Sequence, residues 1–204
     1  DDIEAVAYAG ELANKYSMDC ISLGVVIAWA METYEKGVLS QKDTYGLDLK
    51  WGNAEALVEM TKKIGERADG LGYLLGEGCK IASERIEKGS EAWAVQMKGQ
   101  EIAAHNWRAQ YISALNYCTG VASGPNHERG NSQHIWVAHV RLPEWGIDEV
   151  KNEERWSWEK APERNAIFHD YCNVINSSCH CKFHEFRGYT MTDLVNSINA
   201  STGW

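Results

Sequence analysis

Apolar residues recur at helical spacing through most of the first half of the chain. Ile3, Val6, Ala7, Gly10 and Ala13 share one stripe and predict a helix that buries it. The run "VVIAWAMETYEKG" predicts a second helix, with Gly37 as its C-terminal cap. Leu57, Met60, Thr61 and Ile64 mark a third. Leu71, Leu74, Leu75, Gly78, Cys79, Ala82 and Ile86 read as one fourth helix closed by Gly89, and a shorter one follows Ser90. From about Gly99 to Pro162 the period fades, and Gly, Asn, His and Trp accumulate. There "IWVAHVRL" alternates weakly, as a short strand or an extended loop would, so any sheet is expected near Ile135 to Leu142. Helix returns at Ala161, with Pro162 in its first turn, and Ile167, Tyr171 and Val174 line its face to about Asn176. A last helix starts after Thr190, which pairs with Asp193 as a capping box. The pattern predicts a mostly α fold with little sheet.

Composition narrows the partners. The chain has 204 residues, enough for one large domain or two small ones. Its net charge of −9 leaves no room for a large basic face, which argues against nucleic acid and anionic membrane as partners. No apolar run reaches the length of a membrane span, and "DDIEAVAYAG" lacks the regions of a signal peptide. Nine Trp are many for this length, and core packing accounts for them most simply.

Six Cys in so long a chain do not make a disulfide scaffold, so a reducing, cytoplasmic setting is expected. Cys20, Cys79 and Cys118 stand alone in apolar or helical surroundings and are expected to be buried thiols. Cys172, Cys179 and Cys181 cluster around "SSCHC", with His169, His180 and His184 nearby. Three readings stay open there. Cys181 alone ligates an iron–sulfur cluster; or Cys172, Cys179, Cys181 and His184 or His169 form a structural zinc site; or none is liganded. The ligand types suit tetrahedral zinc, but the spacing C-x6-C-x-C-x2-H lacks the paired C-x2-C of ordinary zinc modules.

The ordered segments "LANKYSMDCISLG", "AMETYEKGVLS", "YGLDLKWGNAEAL" and "GEGCKIASERIEKGSEAWAVQMKGQEIAAHNWRAQ" resemble the aldehyde ferredoxin oxidoreductase family over nearly the whole chain. The resemblance implies two helical subdomains, residues 1–100 as the family's domain 2 portion and 101–204 as its domain 3 portion. It implies a tungsten or molybdenum bis-pterin enzyme with one [4Fe-4S] cluster, which oxidises an aldehyde to a carboxylate and passes electrons to ferredoxin.

In the family two loops, D-x-x-G-L-D and D-x-x-G-L-C, hold the pterins, and the last Cys ligates the cluster. "NKYSMD", Asn14 to Asp19, stands at the first, and "NSSCHC", Asn176 to Cys181, at the second. This implies Asn14, Asp19, Asn176 and His180 as cofactor-binding residues and Cys181 as the metal ligand. The leading Asp is Asn in both loops, and the Gly is Ser17 in one and Cys179 in the other. If that position needs a positive φ, both side chains carry a steric cost. "LNYCTGVASGPNHERG" aligns His127 with the family's general acid/base and sets Arg129 where it would meet a cofactor phosphate.

The family's C-x-x-C-x-x-x-C run is not in this chain, and a single thiolate does not hold a [4Fe-4S] cluster. The expected partner is therefore an N-terminal pterin-covering domain or subunit. Alone, the chain is expected to be inactive and to bind no cofactor. Exposed apolar side chains around the uncovered site, Met18 and Phe183 among them, would favour homo-oligomers. Asp19, His127 and Cys181 are expected to meet at one hollow. The alternative is a non-catalytic helical module that keeps the fold without the cofactor.

Overall fold

The computed structural model describes residues 2–120, 130, 132, 134–137 and 139–204. The chain divides into two compact units, Asp1–His105 and Asn106–Trp204.

The first unit is built from five helices and a hairpin. Helix α1 (Ile3–Lys15) is capped by Asp2, whose carboxylate accepts from the Ala5 N–H at 3.0 Å. It buries Ala9, Leu12 and Ala13. Ile3 and Val6 of the expected stripe are 79% and 56% exposed. The helix is turned so that its small residues meet α3 (Ala54–Gly65), and Tyr16 lies where a Cβ on Gly65 would stand.

Helix α2 (Cys20–Glu35) is the centre of this core, burying Leu23, Val26, Ile27, Trp29, Ala30 and Met31. Its buried polar atoms are paired: Trp29 Nε1 donates to the Ser90 carbonyl, and Trp93 Nε1 to Thr33 Oγ1. Gly37, at φ +71°, ends the helix with the two crossed bonds of a Schellman motif, Gly37 N to Tyr34 O and Val38 N to Thr33 O.

The expected fourth helix is two helices, α4 (Leu71–Leu75) and α5 (Cys79–Ile86). The break at Gly76-Glu77-Gly78 is fixed from outside the segment. Gly78 has φ +88°, and a Cβ there would lie 2.8 Å from Glu101 Oε1, which accepts from the Cys79 N–H at 2.6 Å. Glu101 thus caps α5 from the hairpin of β1 (Gln96–Met97) and β2 (Gln100–Glu101). Lys98 and Gly99 turn this hairpin with φ +56° and +87°. A 3₁₀ turn, Ser90–Trp93, precedes it.

The second unit packs α6 (Tyr111–Thr119), α7 (His134–Val137), α8 (Ala161–Ser177) and α9 (Met191–Thr202) with short 3₁₀ turns. Its core gathers Ile112, Ile135, Leu142, Ile147, Phe168 and Ile175. The sheet expected near Ile135 to Leu142 is not there. His134–Val137 is a helical turn, His139 takes φ +53°, and the extended part makes one bridge, Leu142 to Ile147. On α8 the buried face is Phe168, Tyr171, Cys172 and Ile175, while Val174 is exposed. Thr190 and Asp193 form both bonds of the capping box of α9.

Among the described residues no helix is long and apolar enough to cross a membrane. Cys79 and Cys172 are buried, but Cys20 and Cys118 are exposed, against expectation. Both sit in the terminal turn of a helix, where packing against the core is incomplete.

Candidate functional site

The two loops singled out in the sequence follow one backbone path. At the end of α1, Ser17 N donates to Asn14 O and Met18 N to Ala13 O. At the end of α8, Cys179 N donates to Asn176 O and His180 N to Ile175 O. Both are Schellman motifs with the same offsets. The residue at the family's Gly position is left-handed in each, Ser17 at φ +57° and Cys179 at φ +54°. Each loop ends where a helical turn begins. Asp19 caps α2, its Oδ2 accepting from the Ser22 N–H at 2.7 Å. Cys181 precedes the 3₁₀ turn Lys182–Arg187, and its carbonyl accepts from the His184 N–H.

The first loop forms one wall of a hollow of about 470 Å³ in the first unit, lined also by Arg67, Glu77, Gly78, Gly99 and Glu101. Ser17, Met18 and Asp19 all face it. Its charge is already partly matched. Arg67 pairs with Glu77, donates to the Gly76 carbonyl, and lies 4.3 Å from the centre of the Tyr73 ring. Burial, with Glu101 alongside, pushes the Cys79 thiol far up, so this cysteine stays a neutral thiol behind the hollow. Glu101, Arg67 and the Gly76–Gly78 break were not singled out in the sequence. The paired glycines of "GEGC" were the available signal.

In the second unit Cys179 and Cys181 are exposed. His180 stacks on Tyr189 with ring centroids 4.4 Å apart, and its Nε2 lies 2.8 Å from His184 Nδ1. This fixes the His180 ring next to Cys181. The zinc site considered at Cys172, Cys179, Cys181 and His184 does not form. Cys172 points into the core beside Phe168, and among the described residues no group of three or more His, Cys, Asp or Glu is placed to hold a metal. His127 and Arg129 lie outside the described residues. Phe183 is 62% exposed, whereas Met18 is half-buried against the first core.

A helical chain of two units, each presenting one copy of the same helix-end loop, defines a class of cofactor-gripping scaffold rather than a complete site. The family model for aldehyde ferredoxin oxidoreductase, domains 2 and 3, matches residues 1–204, and the chain belongs to that family. It is 31% identical over its whole length to a tungsten-containing aldehyde ferredoxin oxidoreductase of Pyrococcus abyssi and 27% identical to one of Pyrococcus furiosus. Over 59% of its length it is 31% identical to an aliphatic sulfonate oxidoreductase, WOR-like subunit, of Pyrococcus furiosus, of which it covers 20%. The chain spans 32% of the length of the two aldehyde enzymes.

The residues present fit the family's cofactors in kind. Cys181 offers an exposed thiol at a loop end, as a cluster ligand requires. Asp19 commits one carboxylate oxygen to Ser22 and has a second to offer.

Proposed function

We propose that this chain is the cofactor-gripping portion of a tungsten-dependent oxidoreductase that converts an aldehyde to a carboxylate. The reading rests on family membership and on one structural observation: Asn14–Asp19 and Asn176–Cys181 share a single backbone geometry, ending in a carboxylate and a thiol. The overall reaction takes aldehyde and water to carboxylate, three protons and two electrons. When bound, the bis-pterin tungsten centre accepts the electron pair, and a [4Fe-4S] cluster passes the electrons singly to ferredoxin.

The chain's own residues bind and orient. Asp19 accepts from the amino and ring N–H edge of a pterin, and Asn14 and Asn176 each offer one amide acceptor and donor. His180, held by Tyr189 and His184, packs beside the second pterin. Cys181 supplies one thiolate to the cluster, and the other three come from a part of the longer protein outside this chain. His127 takes up a proton released at the substrate carbon, since imidazole titrates near neutrality. Arg129 faces a cofactor phosphate. For this to work, Asp19, His127 and Cys181 converge on one hollow in the full-length enzyme.

The test is the full-length protein, grown with tungstate and purified without oxygen. Tungsten and iron per chain, the visible spectrum, and aldehyde-dependent reduction of ferredoxin are measured. Cys181→Ser is expected to abolish the cluster absorption, and Asp19→Ala to lower tungsten content. A folded full-length protein without tungsten, iron or turnover would overturn the reading and leave a non-catalytic helical module.

A further inference from the structure

Helix α8 carries Asn165 and His169 one turn apart, and neither belongs to its apolar packing face. Both are directed at the two chain segments that flank residues 121–129. Asn165 Nδ2 donates to Thr119 Oγ1 at 3.1 Å, and Asn165 Oδ1 accepts from Ser132 Oγ at 3.3 Å. One asparagine therefore ties position 119 to position 132. A turn further on, His169 Nε2 lies 2.7 Å from Asn116 Oδ1. That oxygen accepts, so Nε2 carries the hydrogen. Burial holds the pKa of His169 below the ordinary value, which keeps this neutral form.

Gly130 is buried against the same pair. A Cβ on it would lie 2.1 Å from Asn116 Oδ1 and 2.7 Å from His169 Nε2. Asn116 and Ser132 are fully buried and Asn165 nearly so. Packing α6 on α8 needs none of these polar groups, because Ile112, Phe168, Tyr171 and Ile175 already supply an apolar contact. Buried amides and an imidazole are kept at a desolvation cost, and what they provide is a fixed geometry.

We propose that Asn116, Asn165 and His169, closed over Gly130, form a clasp that fixes both stems of residues 121–129 and so sets the place of His127. This rests on the reading of His127 as the proton-transfer residue. The three clasp residues are positioning residues, since they act through the segment they hold. Gly130 is the point where only a residue without a side chain fits.

The test uses the full-length protein with His169→Leu, the conservative His169→Gln, and Gly130→Ala. Amide hydrogen exchange is followed over residues 117–133 and over α8, together with tungsten and iron content, kcat and KM. In His169→Leu, exchange over 117–133 is expected to rise about tenfold while α8 is unchanged. Its kcat is expected to fall about 100-fold with KM and metal content unchanged, as misplacement of a catalytic group does. His169→Gln, which keeps a donor, should recover most of both losses. Gly130→Ala should resemble His169→Leu, and if it does not fold, the two His169 variants decide. Unchanged exchange over 117–133, or equal acceleration across α6 and α8, overturns the clasp. Accelerated exchange with unchanged kcat overturns its link to His127. A wild-type protein without aldehyde turnover refutes the functional reading instead, and the exchange measurement still decides the clasp.

Discussion

Ser17 and Cys179 sit in the left-handed region that favours glycine, and both do so at the matching place in their loops. Their side chains carry a steric cost of roughly 1 kcal/mol each relative to glycine. Ser17→Gly is therefore expected to raise the stability of the chain by about 1 kcal/mol, read as a shift in urea midpoint. An unchanged or lower midpoint would show that the Ser17 side chain supplies a contact worth more than the strain. His169 gives a pH dependence with a definite sign. Its folded pKa is lowered by burial, with Asp170 opposing, so its contribution to stability is present above the unfolded histidine value. That contribution is lost as pH falls through the folded value. Thermal melts of the wild type should drop on acidification below about pH 6.5, more steeply than those of His169→Gln. Parallel curves would refute this.

At the scale of elements, helix ends were the most legible part of the sequence. Gly37, Pro162, and Thr190 with Asp193 are local signals, and each acts within its own turn. The faces of helices were less legible. The stripe from Ile3 to Ala13 is as regular as the buried set Ala9, Leu12 and Ala13, and only the approach of α3 chooses between them. The α4–α5 break was hidden for a related reason: its cause, Glu101, lies more than twenty positions away. The short sheet was misplaced because a hairpin of two-residue strands has no alternation to read. Of the candidate site, the loops were legible through their resemblance, while their shared turn and the wall formed by Arg67 and Glu101 were not. Capping also gives a prediction. Asp19→Ala removes the bond to Ser22 N and should cost about 1 kcal/mol in the chain alone, without any cofactor. If stability is unchanged, the cap is not formed in solution.

At the scale of the whole molecule, each unit has its own core, so each should hold its own structure by contacts within it. In the second unit, Arg164 is 7% exposed and pairs with Glu154 at 2.6 Å. Glu154→Gln leaves that guanidinium without its counter-charge and should destabilise the second unit by about 3 kcal/mol. Exchange protection in α8 would fall while that in α2 is retained. Loss of protection in both would show that the units unfold as one.

The thiols give the molecule a built-in gauge. Cys20, Cys118, Cys179 and Cys181 are exposed, while Cys79 and Cys172 are enclosed, and Cys79 has almost no thiolate. A maleimide added to the native chain should thus attach at four positions, and after denaturation at all six. In a full-length protein carrying its cluster, Cys181 would be withheld from the reagent while Cys179, two positions away, is not. The ratio of label at these two neighbours, read by mass, would then report how many molecules in a preparation are loaded, without reference to colour or turnover.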